Sequence, residues 1–587
     1  MRCHGVRTDL FRAALGLMGA AILAGTASAA DPTPVTLLYN AHIFTADSTH
    51  PYADAVAIRG DTILAVGELS AVEKAAGAAN KIDMQGKFLM PGMIDAHAHP
   101  IAGGTTLVQA TYPDTNDSIP ALAAFVKEQM DKKASLLGDV LVIDDLDIGF
   151  WAHAAGIDAV LSTGVFAKQP IVLFGSDGHT AWANRLARTR AGITAAYIKK
   201  LSPADRQYYG FDSAFNPNGF LVDAGKNVLD QKLPKASPEY MVAAGRAAVH
   251  YMNSLGITGW LDAAVAGVVG GATPLSVKEP GFLPVYEALG KSGELTAHVV
   301  AYPVVRPNDG FQQIDVVEAL RAKYQGIPNF SMPGLKVFAD GVAEIPSQTA
   351  ALTKPYINTG RSTPSLFTPD KMNALVTEAD RRGLRVHVHA IGDLAVKQTL
   401  DAFAAARAAN PSGSLPFVMT HAQFVDAEDI PRFAQLNVIA ALQLLWAVAD
   451  PSTNEQIKPF IDPVIYGQLY PARSLLEAGT TIAGASDWPV STANPFLAIY
   501  QAETRSGPQG VIQPAQRMPR AAMLYAYTRK SAEVIGMADK VGTLAPGKLA
   551  DLVAVDRDVL AVSAEDLKGA TVIWTMLAGK TVYGTGP

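Results

Sequence analysis

Eight short apolar runs, each ending near a polar or charged residue, set the strongest limit on what this chain can fold into. They span 88–98, 256–263, 295–302, 334–341, 384–390, 417–422, 437–443 and 481–487. Val, Ile and Ala dominate them, and helical patterns with polar starts and Gly or Asn ends separate several of them, as at 368–383 and 392–410. Strands alternating with helices of this length predict βα units around a parallel sheet. Eight such units predict an α/β fold, a TIM (β/α)8 barrel, whose chemistry collects at the C-terminal ends of the strands. The stretch 103–253 is too long for one crossover and reads as a subdomain inserted after the first strand, with a strand of its own at 170–175. Strand-turn-strand patterns at both ends of the chain, 35–67 and 541–584, predict a small β-domain assembled from both termini.

The N-terminus carries Arg2, Arg7 and Arg12, an apolar run at 13–25 and the small residues Ala27, Ser28 and Ala29. Basic, apolar and A-x-A segments in that order describe a secretory signal peptide over 1–29 and a secreted or periplasmic protein. The domain expectation is therefore a β-domain from 30–88 plus 538–587, and a barrel over 89–537. The single cysteine, Cys3, falls inside the signal. A mature chain without thiols has no disulfides, and it must bind any metal through His, carboxylate or a modified Lys. A net charge of −6 gives no surplus with which to neutralise phosphates, so nucleic acid is excluded as a favoured partner. No later apolar segment is long enough to span a membrane after signal cleavage. The expected partner is a small-molecule substrate; self-association into a homo-oligomer stays open.

The strand ends carry the chemistry. The first run ends in Asp95-Ala96-His97-Ala98-His99, which aims two imidazoles from one strand at a common point. Lys336 lies on the fourth run, His389 ends the fifth, His421 the sixth and Asp487 the eighth. Burying His, Lys or Asp in a barrel is costly unless each is paired or ligates a metal. Four further strands with such residues at matching ends predict a metal site.

The phrases PGMIDAHAHP, GSDGHTAWANR, GLKVFADG, VHAIGD, THAQF, ASDWPVSTANPF and VGTLAPGKLADLVAVD, in this order, resemble the metal-dependent amidohydrolase superfamily. More narrowly, they resemble its YtcJ-like, amidohydrolase-3 branch, the group that includes N-substituted formamide deformylase. The resemblance spans the mature chain and implies a distorted barrel joined to a composite β-sandwich. It implies that His97 and His99 bind one divalent metal with Asp487, and that His389 and His421 bind a second. Lys336 would bridge the two as a carbamate formed with carbon dioxide. If Lys336 is instead an ordinary lysine paired with Asp340, the site holds one ion. Zinc suits this donor set best, and iron or manganese are not excluded by it. A bound divalent ion brings the pKa of water towards about 7, and Asp487 is the general base that accepts its proton.

Several other residues are singled out. His387 and Asp95 precede ligand candidates by two positions and suit supporting roles behind them. Ser176-Asp177-Gly178-His179, with Trp182 and Asn184, matches a phrase of the branch and is read as substrate-facing, with turn and helix capping as the alternative for Asp177 and Asn184. Asp223 stands where the branch usually has Glu. After the seventh run this chain reads Gln443-Leu444-Leu445-Trp446 where relatives often continue Gln-Pro. The substrate-binding candidates are His179, Trp182, Phe338, Gln443, Trp446 and Trp488, and the aromatic ones predict a substrate with a hydrophobic part. The expected reaction is hydrolysis of a non-peptide C–N amide bond, in an N-acyl or N-formyl amine or an N-acyl amino acid. An esterase or lactonase, a deaminase and a non-catalytic periplasmic binding protein are the alternatives.

Overall fold

The computed structural model describes residues 33–113, 118–133, 135–176, 178, 180–267, 274–307, 309–345 and 347–586. The expected signal segment lies outside them. No helix among the described residues is long and apolar enough to cross a membrane.

All eight runs contain strands: β1 (Met93–Ala98), β2 (Ile257–Asp262), β3 (His298–Ala301), β4 (Gly334–Phe338), β5 (Arg385–Ala390), β6 (Phe417–His421), β7 (Val438–Leu442) and β8 (Thr481–Gly484). Their ladders are parallel and fall into two arcs rather than one continuous ring. The first arc pairs β1 with β2 and β2 with β3. The second runs from β4 to β8 in order. The chain leaves β3 at Tyr302-Pro303, and its continuation Val304–Val305 pairs with β4, so the third strand serves both arcs in two pieces. Between β8 and β1 there is no ladder. Two backbone bonds join the segments just beyond them, from Asp487 N to His97 O (2.8 Å) and from His99 N to Trp488 O (2.8 Å).

Helices cover the outer face because their apolar positions recur at helical spacing. Over Pro369–Arg381 the buried positions Met372, Leu375, Val376 and Ala379 form one stripe. Strands covered on both faces read as near-continuous apolar runs, as these do. At the N-terminal end of the barrel, Ala532, Val534, Ile535 and Val541 join the interior cluster with Ile94, Leu261 and Val300. Arg385, at the start of β5, donates to Glu533 O and Val534 O there. That end is filled, which leaves chemistry to the opposite one.

The first run divides at Gly92. Phe88–Pro91 lies in an eight-stranded sheet, antiparallel to Leu552–Val555, and this pairing puts strands from both termini in one sheet. Gly92 N donates to Asp551 O, and a Cβ at Gly92 would stand 2.2 Å from Thr258 Oγ1. The Asp551 carboxylate also meets His298 Nε2 of β3 at 2.8 Å, so one residue ties the terminal sheet to the barrel.

Between β1 and β2 a second, seven-stranded sheet spans 110–222 and includes the expected strand, here Ile171–Gly175. It has apolar clusters of its own. Its borders are the helices Pro100–Val108 and Pro238–Ser254, which pack together. Their approach is close at Gly104, where a Cβ would lie 2.1 Å from Ala244 O. Gly104→Ala is therefore expected to force the helices apart and cost about 1–3 kcal/mol, measured as a lower melting temperature.

Candidate metal centre

Each site residue sits where a strand stops and its backbone turns. His97 is the penultimate residue of β1, and His99 immediately precedes the helix Pro100–Val108. His421 ends β6 with φ 71°, and Asp487 lies three residues past β8 with φ 58°. Left-handed backbone is unfavourable for residues with a Cβ and persists when surrounding contacts dictate it. Here those contacts include Ala422 N to Ala390 O (3.0 Å) and Asp487 N to His97 O. The turn at Asp487 brings its Oδ1 to 3.1 Å from both His97 Nε2 and His99 Nε2. Ligand atoms of His97, His421 and Asp487 all lie within 4.8 Å of one another.

A layer of side chains behind these groups holds them. His97 Nδ1 meets His387 Nε2 at 2.7 Å, with the two rings stacked 4.9 Å apart. Asp95 accepts from His97 N (3.1 Å), Ser486 N (3.1 Å) and Ser486 Oγ (2.5 Å), which joins β1 to the segment after β8. Gln443 Nε2 donates to Thr420 Oγ1 (3.1 Å), so its Oε1 accepts from His421 Nδ1 (3.0 Å) and leaves the His421 Nε2 lone pair free for a cation. Gln443, expected to touch substrate, is buried and bonded to His421.

Burial first, and Lys336 second, hold the imidazoles of His97 and His387 well below the usual histidine range; the same causes bring His389 to about 3. His421 is lowered by burial and then by His389. Burial works against ionising Asp487, but the His99 hydrogen bond and the nearby His421 and Lys336 outweigh it and lower its pKa. The cluster is therefore neutral nitrogens around an ionised carboxylate, the protonation state that a divalent cation needs. Asp487 Oδ1 faces the His97 and His99 nitrogens, each at 3.1 Å. The residues present thus fit a metal, with His97, His421 and Asp487 as holders and His99 adjoining.

Lys336 is fully buried on β4, and its Nζ has no hydrogen-bond partner among the described residues. Burial lowers it to about 7, against the pull of Asp487. It does not pair with Asp340, whose carboxylate accepts from Ile391 N, Gly392 N and Ala351 N. His389 Nε2 is turned to Gly341 O at 3.0 Å, which keeps it out of the three-residue group although its ring lies 4.5 Å from that of His421.

A cavity of about 620 Å3 opens over the cluster, with His389, His421 and Asp487 among its walls. Trp446 lines it as expected, its ring parallel to that of His421 at 5.4 Å. Thr180 and Val222 of the inserted subdomain also line it. Three other aromatic candidates are held by packing. Trp182 is wholly buried in the inserted subdomain, where its Nε1 donates to Asn218 O (2.9 Å). Trp488 is packed against Tyr251, with centroids 4.7 Å apart, and lies close over Gly103. Phe338 packs on His389 (5.0 Å), with Lys336 Nζ 4.6 Å from its ring centre. Asn184 caps the helix Arg185–Arg190 and binds three carbonyls, the capping alternative. Asp177 and His179 lie outside the described residues. Sequence reasoning missed Glu344, Asp450 and Tyr470 on the cavity wall, because loops after strands carry no periodicity to mark them.

Gln443→Ala is expected to weaken metal binding about 10–100-fold while leaving the protein folded, as read by chelator competition.

Residues 81–583 match the family described as Amidohydrolase family. The chain is 28% identical over 560 residues to Protein LONG AFTER FAR-RED 3 of Arabidopsis thaliana, covering 93% of this chain and 91% of that one. It is 24% identical to Putative amidohydrolase YtcJ of Bacillus subtilis, covering 90% and 96%. Against the N-substituted formamide deformylase of Arthrobacter pascens the identity is 23%, covering 93% and 98%. In fold it is similar to an uncharacterized metal-dependent hydrolase from Pyrococcus horikoshii, with a TM-score of 0.69, 22% identity, and coverage of 90% and 99%.

Proposed function

Because the chain belongs to the amidohydrolase family, with the metal-dependent hydrolase chemistry of that family, we propose that it hydrolyses a non-peptide C–N amide bond. The substrate we infer is an N-acyl or N-formyl amine with an apolar part. The observation that carries the reading is the His97–His421–Asp487 cluster, whose members His421 and Asp487 line a cavity large enough for a small organic molecule. The formamide deformylase relative supports the choice of a C–N bond.

A divalent ion held by these residues, zinc being the best match to them, supplies Lewis acidity that acidifies water and polarises a carbonyl. The remaining steps belong to the chain. Asp487, kept ionised, accepts the proton of the attacking water as its oxygen bonds to the acyl carbon. It then returns that proton to the nitrogen as the C–N bond breaks, so that amine leaves and carboxylate stays. Gln443 and His387 keep the His421 and His97 rings from turning during this exchange. Trp446 and its apolar neighbours Leu445 and Val448 displace water from the organic part of the substrate.

Lys336 supports a second ion. A buried, unpaired amine lowered to about 7 is partly neutral near neutral pH and can add to carbon dioxide. The resulting carbamate would replace an ammonium, which cannot ligate, with an oxygen donor.

Two measurements check the proposal. With N-acyl amines as substrates, the protein is expected to release organic amine, and not ammonia, in a chelator-sensitive way. Asp487→Asn should lower that release at least about 10^2–10^4-fold. Amine release by Asp487→Asn at the wild-type rate would remove this residue as the base. In Lys336→Ala, metal analysis is expected to fall from two ions per chain to one; an unchanged count would dismiss the carbamate.

A further inference from the structure

Trp488 follows Asp487 and is only 5% exposed. Its backbone is held at both ends. Its N donates to Ser486 Oγ (3.0 Å), which is itself bonded to Asp95, and its O accepts from His99 N (2.8 Å). With the bond from Asp487 N to His97 O, residues 487 and 488 are laid along the end of β1. The indole meets the two helices that border the inserted subdomain. On the first, a Cβ at Gly103 would stand 2.7 Å from Cε2 and Cζ2 of the ring, and Gly103 N donates to His99 O (2.9 Å). On the second, the Tyr251 ring lies 4.7 Å from the indole, and its Oη is 3.1 Å from Thr492 Oγ1. These helices touch closely at Gly104, and the subdomain between them supplies Thr180 and Val222 to the cavity wall.

From these contacts we infer that Trp488 is a positioning residue for Asp487 and His99, and that the inserted subdomain, through the two helices against the indole, supports the metal centre. The inference rests on reading the cluster as a metal site and deepens that reading. The left-handed backbone of Asp487 persists only while its surroundings are fixed. Hydrogen bonds align residues 487 and 488 with β1, but such bonds alone allow the segment to swing. A large ring in a close-packed slot has no free space to follow. Displacing the indole would disturb both sides of the cluster. Asp487 is the next residue in the chain, and His99 is bonded through its N to Trp488 O and through its O to Gly103 N, beside the ring. A substrate contact, the role the sequence suggests for Trp488, would act on substrate affinity. A positioning residue acts on metal affinity and turnover.

The test uses full-length Trp488→Phe, Gly103→Ala, the double variant and Trp182→Phe, the last altering another buried indole inside the subdomain. Zinc affinity is read by chelator competition, folding by melting temperature, and turnover with N-heptylacetamide. Trp488→Phe vacates space beside Gly103 and is expected to weaken zinc binding at least about tenfold. It should also lower kcat about 10^2-fold, with KM close to that of the wild type. Gly103→Ala, which drives a methyl into the indole, should act in the same way. The double variant should lose less than the two single variants combined, because the smaller ring makes room for the methyl. Trp182→Phe should lower the melting temperature and leave zinc affinity unchanged. Wild-type zinc affinity in folded Trp488→Phe, an equal loss in Trp182→Phe, losses that simply multiply in the double variant, or a rise in KM alone would overturn the inference and leave the hydrolase reading standing. If Trp488→Phe does not fold, Gly103→Ala decides by the same readouts. If the wild type does not cleave the amide, the amide reading falls, and chelator competition alone decides whether Trp488 positions the ligands.

Discussion

Asp487 links the segment after the last strand to the end of the first and places its carboxylate in the histidine cluster. Its amide donates to His97 O where β8 and β1 have no ladder, and its carboxylate stands 3.1 Å from the His97 and His99 rings. Both contacts require the left-handed turn at this residue, with φ 58°. An aspartate in such a turn is strained and its buried carboxylate is poorly solvated, costs that only the surrounding contacts can offset. Fold and site thus share one constraint. What joins the last strand region to the first also fixes the carboxylate against two imidazoles.

The supporting layer extends the same logic. Asp95 grips the segment before Asp487 through Ser486, His387 stacks on His97, and Gln443 directs His421. None of these needs to meet substrate, yet each removes a rotation that a ligand could otherwise make. A site built this way is organised before its ion or substrate arrives, which is where much of the advantage of a rigid barrel over a loop-built site lies. The cavity wall is made differently. Glu344, Asp450 and Trp446 come from loops beyond the strands, the part of this architecture that can change without disturbing the barrel.

Much of this was legible in the sequence because it is periodic or punctuated. The eight runs contain the eight strands, the helices at 369–381 and 393–409 fall within their patterns, and the strand-end residues His97, His421 and Asp487 are brought together. The errors concern side chains whose role depends on neighbours distant in the chain. Trp182 and Trp488 have the same aromatic character as Trp446, but the first is packed into the inserted subdomain and the second against Tyr251 and Gly103. Gln443 resembled a substrate contact until Thr420 and His421 were found on either side of it.

The sequence by itself determined the kinds of element, their order, and the residue types able to hold a cation. Alternation, helical spacing and the unfavourable burial of lone charges are local or compositional facts. Only the tertiary structure decided which donors converge, that His389 turns to Gly341 instead of joining the three-residue group, and that Lys336 has no hydrogen-bond partner among the described residues. These follow from loops and left-handed turns that bring residues hundreds of positions apart into contact, and such contacts have no period along a chain from which to read them.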